Sequence, residues 1–155
     1  MKNLSGINNQ SIEQLRNKLN VLLANFQMHY QNLRAFHWNV SGKHFFELHA
    51  KFEELYNDAN QAVDEIAERI LTLNGKPAHT FSEYLKTAKI GEADDKKSAE
   101  EMVAGVLENF YVLLELEREI LTLAADAGDE GTVTLISDYV KEQEKTGWML
   151  NAYLN

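Results

Sequence analysis

The sequence predicts an all-α protein, a four-helix bundle with a long crossover between helices two and three that carries a short extra helix. Three observations lead there. One Pro and 8 Gly in 155 residues leave few breakers, which favours long helices over many short strands. Apolar residues recur every three or four positions along four long stretches. Three segments open on Ser or Thr with Glu or Gln three residues on, the pattern of a reciprocal N-terminal cap.

The first helix is expected to open at Ser11, with Gln14 as its capping partner. Ile12, Leu15, Leu19, Leu22, Leu23, Phe26, Tyr30 and Leu33 carry its stripe, which runs to about Trp38. Val40 to Lys43 reads as a short turn. The second helix starts near Phe45, and Leu48, Phe52, Leu55, Ala59, Val63, Ile66, Ile70 and Leu73 keep its spacing. Gly75 and Pro77 should stop it, as a left-handed cap and a breaker. Lys76 to Lys97 is a long connection, within which Thr80 to Lys89 forms the short helix, capped by Thr80 and Glu83. The third long helix opens near Ser98 with Glu101 in its cap. Its stripe takes in Val103, Val106, Leu107, Phe110, Leu113, Leu114, Glu117, Ile120 and Leu121, and it ends before Gly128. The fourth begins around Asp129 to Thr132 and carries Val133, Ile136, Val140, Glu144, Trp148, Leu150 and Tyr153. Short first and last connections make antiparallel hairpins, and about 22 residues in the middle suffice to cross the length of a bundle. Residues 1–155 read as one domain with 1–10 as a short polar tail.

Composition narrows the function classes. At 45% apolar and 10% aromatic residues, the chain can fill a core. The absence of Cys excludes disulfides, zinc–thiolate sites and thiol nucleophiles. No apolar run is long enough for a bilayer, and Met1 to Gln10 lacks a signal-peptide pattern, so a cytoplasmic protein without a membrane partner is expected. A net charge of -9 opposes electrostatic binding to nucleic acid and suits attraction of cations.

The chemistry concentrates on helix two. His49 and Glu53 are four apart, as are Asp64 and Glu68, so each pair lies on one face and can converge on an ion. All four fall within an arc of about 100°, but the pair centres stand roughly 22 Å apart along the axis. No single ion bridges them within one chain. A second copy of helix two, antiparallel about a two-fold axis between Asp58 and Ala59, solves the problem. His49 then lies level with Glu68 of the partner subunit, and Glu53 with Asp64 of the partner subunit. His37 and His49 are each six residues from Lys43, so the hairpin sets them level too. The expected metal site joins His37, His49 and Glu53 of one chain to Asp64 and Glu68 of the other. Imidazole with carboxylate suits ferrous iron, manganese or zinc. An intrachain di-iron bundle would need two Glu-x-x-His motifs, and no His here has Glu three residues before it.

From His37-Trp38-Asn39-Val40-Ser41-Gly42 through Phe45-Phe46-Glu47-Leu48-His49-Ala50-Lys51-Phe52-Glu53-Glu54-Leu55-Tyr56, the chain closely resembles the Dps family of mini-ferritins. Asp64-Glu65-Ile66-Ala67-Glu68-Arg69-Ile70 matches that family's second signature, and the likeness covers nearly the whole chain. It implies a ferritin-like fold and a hollow twelve-subunit shell built from two-fold dimers. It also implies oxidation of Fe(II) by hydrogen peroxide or oxygen at inter-subunit centres, and storage of the ferric mineral inside. The implied catalytic ligands are His37, His49, Glu53, Asp64 and Glu68, although many members have Asp where this chain has Glu53. Trp38 follows the first ligand, beside the site, where packing or one-electron donation are its two readings. Asp126, Asp129 and Glu130 fall where members carry acidic pore residues, so they are candidates for an iron access path; Asp129 is also placed to cap a helix.

A nucleoid-compacting DNA-binding protein is the alternative, since some members bind DNA through basic tails. The first ten residues hold one basic residue, Lys2, and Asn151 to Asn155 hold none, so DNA binding is not expected. A scaffold without metal chemistry is opposed by the complete ligand set.

Overall fold

The computed structural model describes residues 6–7, 9–94 and 98–155, and within them there is no strand. The helices are α1 (Asn9–Asn39), α2 (Phe45–Thr72), α3 (Phe81–Thr87), α4 (Ala99–Ala127) and α5 (Glu130–Leu154). Residues 1–5 and 8 of the expected tail lie outside the described residues. Because α1 already includes Asn9, Ser11 sits inside its first turn and is not the capping residue. The caps of α3 and α4 form as expected, each with a Ser or Thr side chain bonded to the backbone of the Glu that reaches back to it.

α1 is the central element. α2, α3 and α4 pack against it, and α5 packs against α4. Leu15, Leu19, Leu22 and Leu33 of α1 meet Phe52, Ile66 and Ile70 of α2 and Met102, Leu113 and Leu116 of α4 in a dry interior. Each such side chain contributes about 1.5–3 kcal/mol on burial. Three asparagines tie the crossover to α1. Asn20 Oδ1 accepts from Ala78 N at 2.7 Å, Asn25 Oδ1 from Lys89 N and Ile90 N at 2.9 and 3.0 Å, and Asn32 Oδ1 from Ala93 N at 2.9 Å. A connection without regular structure thereby satisfies its backbone donors against a helix.

Two expectations need correction. The left-handed residue that ends α2 is Asn74 at φ 58°, not Gly75. Gly75 serves close approach instead, since a Cβ there would stand 2.5 Å from Arg16 Cδ and 2.8 Å from Ile70 Cγ2. On α5 the buried positions are Thr132, Ile136, Gln143 and Leu150, while Trp148 is 69% exposed and Glu144 faces outward to Arg118. Ile136, Gln143 and Leu150 recur every seven residues, so the true stripe runs through a polar residue that an apolar-only reading passes over.

The α4–α5 junction holds the far end of α2. Gly128 turns the chain at φ 70°, and the Asp129 side chain caps α5 by accepting from Thr132 N at 3.2 Å. Arg69 of α2 pairs with Asp129 and donates from Nε to Thr132 Oγ1 at 2.9 Å. Gly131 leaves room for that guanidinium, because a Cβ there would lie 2.8 Å from Arg69 Nη1.

Candidate metal centre

The α1–α2 hairpin sets the two imidazoles level. α1 ends at Asn39, the chain reverses through Gly42 at φ 99°, and α2 starts at Phe45. The His37 and His49 rings stack with centroids 3.7 Å apart and planes 21° apart. Each Nδ1 lies 2.8 Å from the backbone carbonyl of the other histidine. A carbonyl oxygen only accepts, so both Nδ1 atoms carry the hydrogen. In the neutral form that a metal ligand takes, both Nε2 atoms then present lone pairs, and the reciprocal bonds fix the ring planes, as supporting bonds do for metal-bound imidazoles.

Glu53 follows His49 by one turn and completes a triad. One donor atom from each of His37, His49 and Glu53 lies within 4.8 Å of the other two. His37 is 9% exposed, whereas Glu53 is open to solvent, so the triad has a buried side and an accessible side. The Tyr56 hydroxyl donates to Glu53 Oε1 at 3.4 Å, and its ring meets His37 edge-on at 5.3 Å. Burial first, and then the Glu53 charge, push the Tyr56 hydroxyl above its ordinary value, which keeps it a donor. Two imidazoles with one carboxylate form a donor set that leaves coordination positions open on ferrous iron.

Asp64 and Glu68 stand elsewhere. They are exposed and belong to the same unbroken helix, so the separation of roughly 22 Å from the triad stands. Among the described residues, neither joins a cluster of three donors. Trp38 points outward, 58% exposed, with the Arg34 guanidinium 4.7 Å above its ring and 5.3 Å from that of Tyr30. Asp126 and Glu130 are exposed, while Asp129 is 3% exposed and already bonded to Arg69 and Thr132.

Comparison with known proteins turns this geometry into a family assignment. The ferritin-like domain family matches residues 16–155. The DNA protection during starvation protein of Porphyromonas gingivalis is 42% identical over 150 residues, covering 97% of this chain and 94% of the relative. The chain belongs to the Dps family. The Dps protein of Vibrio cholerae O1, described as a member of a broad superfamily of ferritin-like diiron-carboxylate proteins, superposes with a TM-score of 0.95 at 52% identity, covering 98% of this chain and 96% of that one. The Dps of Staphylococcus aureus superposes at 0.90 with 37% identity, covering 97% and 99%. The chain is thus a ferritin-like Dps protein of a diiron-carboxylate superfamily, and iron binding goes with that membership. Among the described residues, no helix is long and apolar enough to cross a membrane.

Tyr56 was not among the sequence-predicted site residues, yet it lies against Glu53 and His37. The signal was its position three residues after Glu53, on the same face of α2. Sequence reasoning left His29 unassigned, and the structure buries that ring at 2% exposure with Nδ1 3.2 Å from Asn109 Nδ2. His44, in the turn before α2, is half-buried and meets Tyr153 edge-on at 5.6 Å.

Proposed function

We propose that the chain is a ferroxidase and iron-storage mini-ferritin whose centres are completed between two subunits of a shell. The observation that carries this reading is the reciprocally bonded histidine pair, which fixes two imidazoles within donor reach of each other and of Glu53. Ferrous iron binds there as substrate. Asp64 and Glu68 of the partner subunit supply the hard oxygen donors that favour the ferric product, and peroxide or oxygen takes the released electrons. With peroxide, two ferrous ions each give one electron, the O–O bond breaks, and water supplies the remaining oxygen of the ferric oxyhydroxide. Protons leave in the hydrolysis.

Twelve subunits in a hollow shell, action in the cytoplasm and protection from oxidative damage belong to the same proposal. Exposed Asp126 and Glu130 line the iron access path, and Asp129 holds the turn that presents them. Trp38, next in sequence to His37, lies at the surface under Arg34. Direct DNA binding receives less support, because a chain of net charge -9 repels phosphates at neutral pH.

Stopped-flow measurement of iron oxidation, with peroxide against oxygen, tests the activity. Sharing is tested by complementation. His49→Ala and Asp64→Ala shells, each inactive, are dissociated, mixed and reassembled, and part of the activity should return. Confirmed mixed shells with no gain in rate would eliminate a site shared between subunits.

A further inference from the structure

The α4–α5 interface buries a second polar pair, far from the histidines. Glu117 of α4 is fully buried and Gln143 of α5 is 8% exposed. Gln143 Nε2 donates to Glu117 Oε1 at 2.6 Å. Two buried atoms of the same two groups, Glu117 Oε2 and Gln143 Oε1, have no hydrogen-bond partner. An unmet acceptor in such a place costs about 1–3 kcal/mol, and two on facing side chains need a common explanation. Both are acceptors, so neither can satisfy the other while Glu117 is ionised.

We propose that Glu117 carries a proton in the folded protein and closes a cyclic acid–amide pair with Gln143, a latch that fastens α5 to α4 and loosens when the proton leaves. One hydrogen on Oε2, donated to Gln143 Oε1, satisfies both orphan atoms and also removes an isolated buried charge. Burial outweighs the Gln143 bond and the Arg118 charge, and raises Glu117 to about 7. The other charged groups around it do not offer an ion pair. Arg118, on the same helix, turns to Glu144 at the surface. On α5, the Tyr139 hydroxyl donates to Glu65 of α2 at 2.6 Å and is raised above its ordinary value by burial and by that bond, so it stays neutral. On α1, His29 shares a groove with Gln143, and burial lowers it to about 3, so it is neutral as well. Gln143 also lines a groove of about 480 Å³ between α2 and α5, so the amide side of the pair borders an open groove.

The direction of the pH effect follows from linkage. A carboxyl raised from 4.5 to about 7 stabilises the fold fully below its unfolded value, and the gain is lost as pH rises through the folded value. Glu117→Gln replaces the donating hydroxyl by an amide N–H and cannot ionise. Denaturant unfolding of both intact assemblies, at equal protein concentration from pH 5 to pH 8, reads the latch as a ratio of unfolding constants. His29 titrates in both proteins and cancels. The wild-type constant should rise relative to the variant by up to about tenfold per pH unit between those two values and level off above them. A ratio independent of pH would overturn the proposal. Infrared spectra of the wild type provide a reading that does not need the variant to fold. A protonated-carboxyl band should be present at pH 6, move in Gln143→Leu, and fade above pH 8. No such band at pH 6 would mean that Glu117 is ionised and the latch does not exist.

Discussion

The two halves of α2 carry equal numbers of candidate ligands and are built in opposite ways. At the N-terminal half, His49 is bonded to α1 through both its ring and its carbonyl, and Glu53 has Tyr56 beside it. At the C-terminal half, Asp64 and Glu68 stand free on the surface, while their neighbour Arg69 makes the tertiary contacts, to Asp129 and Thr132. The difference separates two kinds of preorganisation. The imidazoles are fixed as individual donors before any metal arrives. The carboxylates are fixed only as a helix segment, and their final geometry is left to the surface that meets them. In the proposed shared centre, the rigid half of one subunit would template the adjustable half of the other.

The sharpest way to break the comparison is to delete one ligand from each half. His49→Ala and Asp64→Ala should each lower the oxidation rate by at least the ~100-fold that marks the upper range for loss of a supporting group. Their effects on folding should differ. His49→Ala removes the Nδ1 donor from the His37 backbone carbonyl and the ring stacked on His37, and costs about 1–3 kcal/mol in denaturant unfolding. Asp64→Ala removes an exposed side chain and should stay within about 0.5 kcal/mol. Equal destabilisation by the two would show that the halves are built alike.

The anchor of the C-terminal half comes next. Asp129→Ala removes the partner of Arg69 and the cap of α5 together. Breaking a buried pair from one side costs about 3–5 kcal/mol, and the 21% exposure of the Arg69 side chain brings the expectation down to about 2–4 kcal/mol. Chemical denaturation checks the loss, and iron oxidation by the surviving assembly should slow because Asp64 and Glu68 lose their fixed segment. Full stability in Asp129→Ala would mean that α2 is positioned without this anchor.

Much of this was legible in the sequence because it depends on period and spacing. The helices, the Thr80 and Ser98 caps and the level placement of His37 and His49 all follow from counting residues along regular elements. What escaped depends on side chains meeting across elements. Asn20, Asn25 and Asn32 are poor helix formers when read locally, and their purpose emerges only when the crossover lies against α1. Glu117 stood among the apolar residues of the α4 stripe, and its explanation, Gln143, sits on another helix, one residue before the Glu144 through which that stripe was read. Asn74 holds the left-handed position expected of Gly75, and the glycine instead leaves the space that Arg16 and Ile70 fill, a contact between elements.

The smallest predicted effect bears on how finely the rigid half is tuned. Glu53→Asp keeps the charge and the helix position but withdraws the carboxylate by one methylene, away from Tyr56. The imidazoles do not depend on Glu53 for their orientation, since their bonds run to each other's backbone. Ferrous affinity and oxidation rate should therefore fall by no more than the ~10-fold that marks the lower range for loss of a supporting group, well short of the loss in His49→Ala. Tyr56→Phe, which removes the hydroxyl at 3.4 Å and keeps the carboxylate, should have an effect no larger. A collapse of activity in Glu53→Asp as deep as that in His49→Ala would place the decisive preorganisation in the carboxylate rather than in the histidine pair.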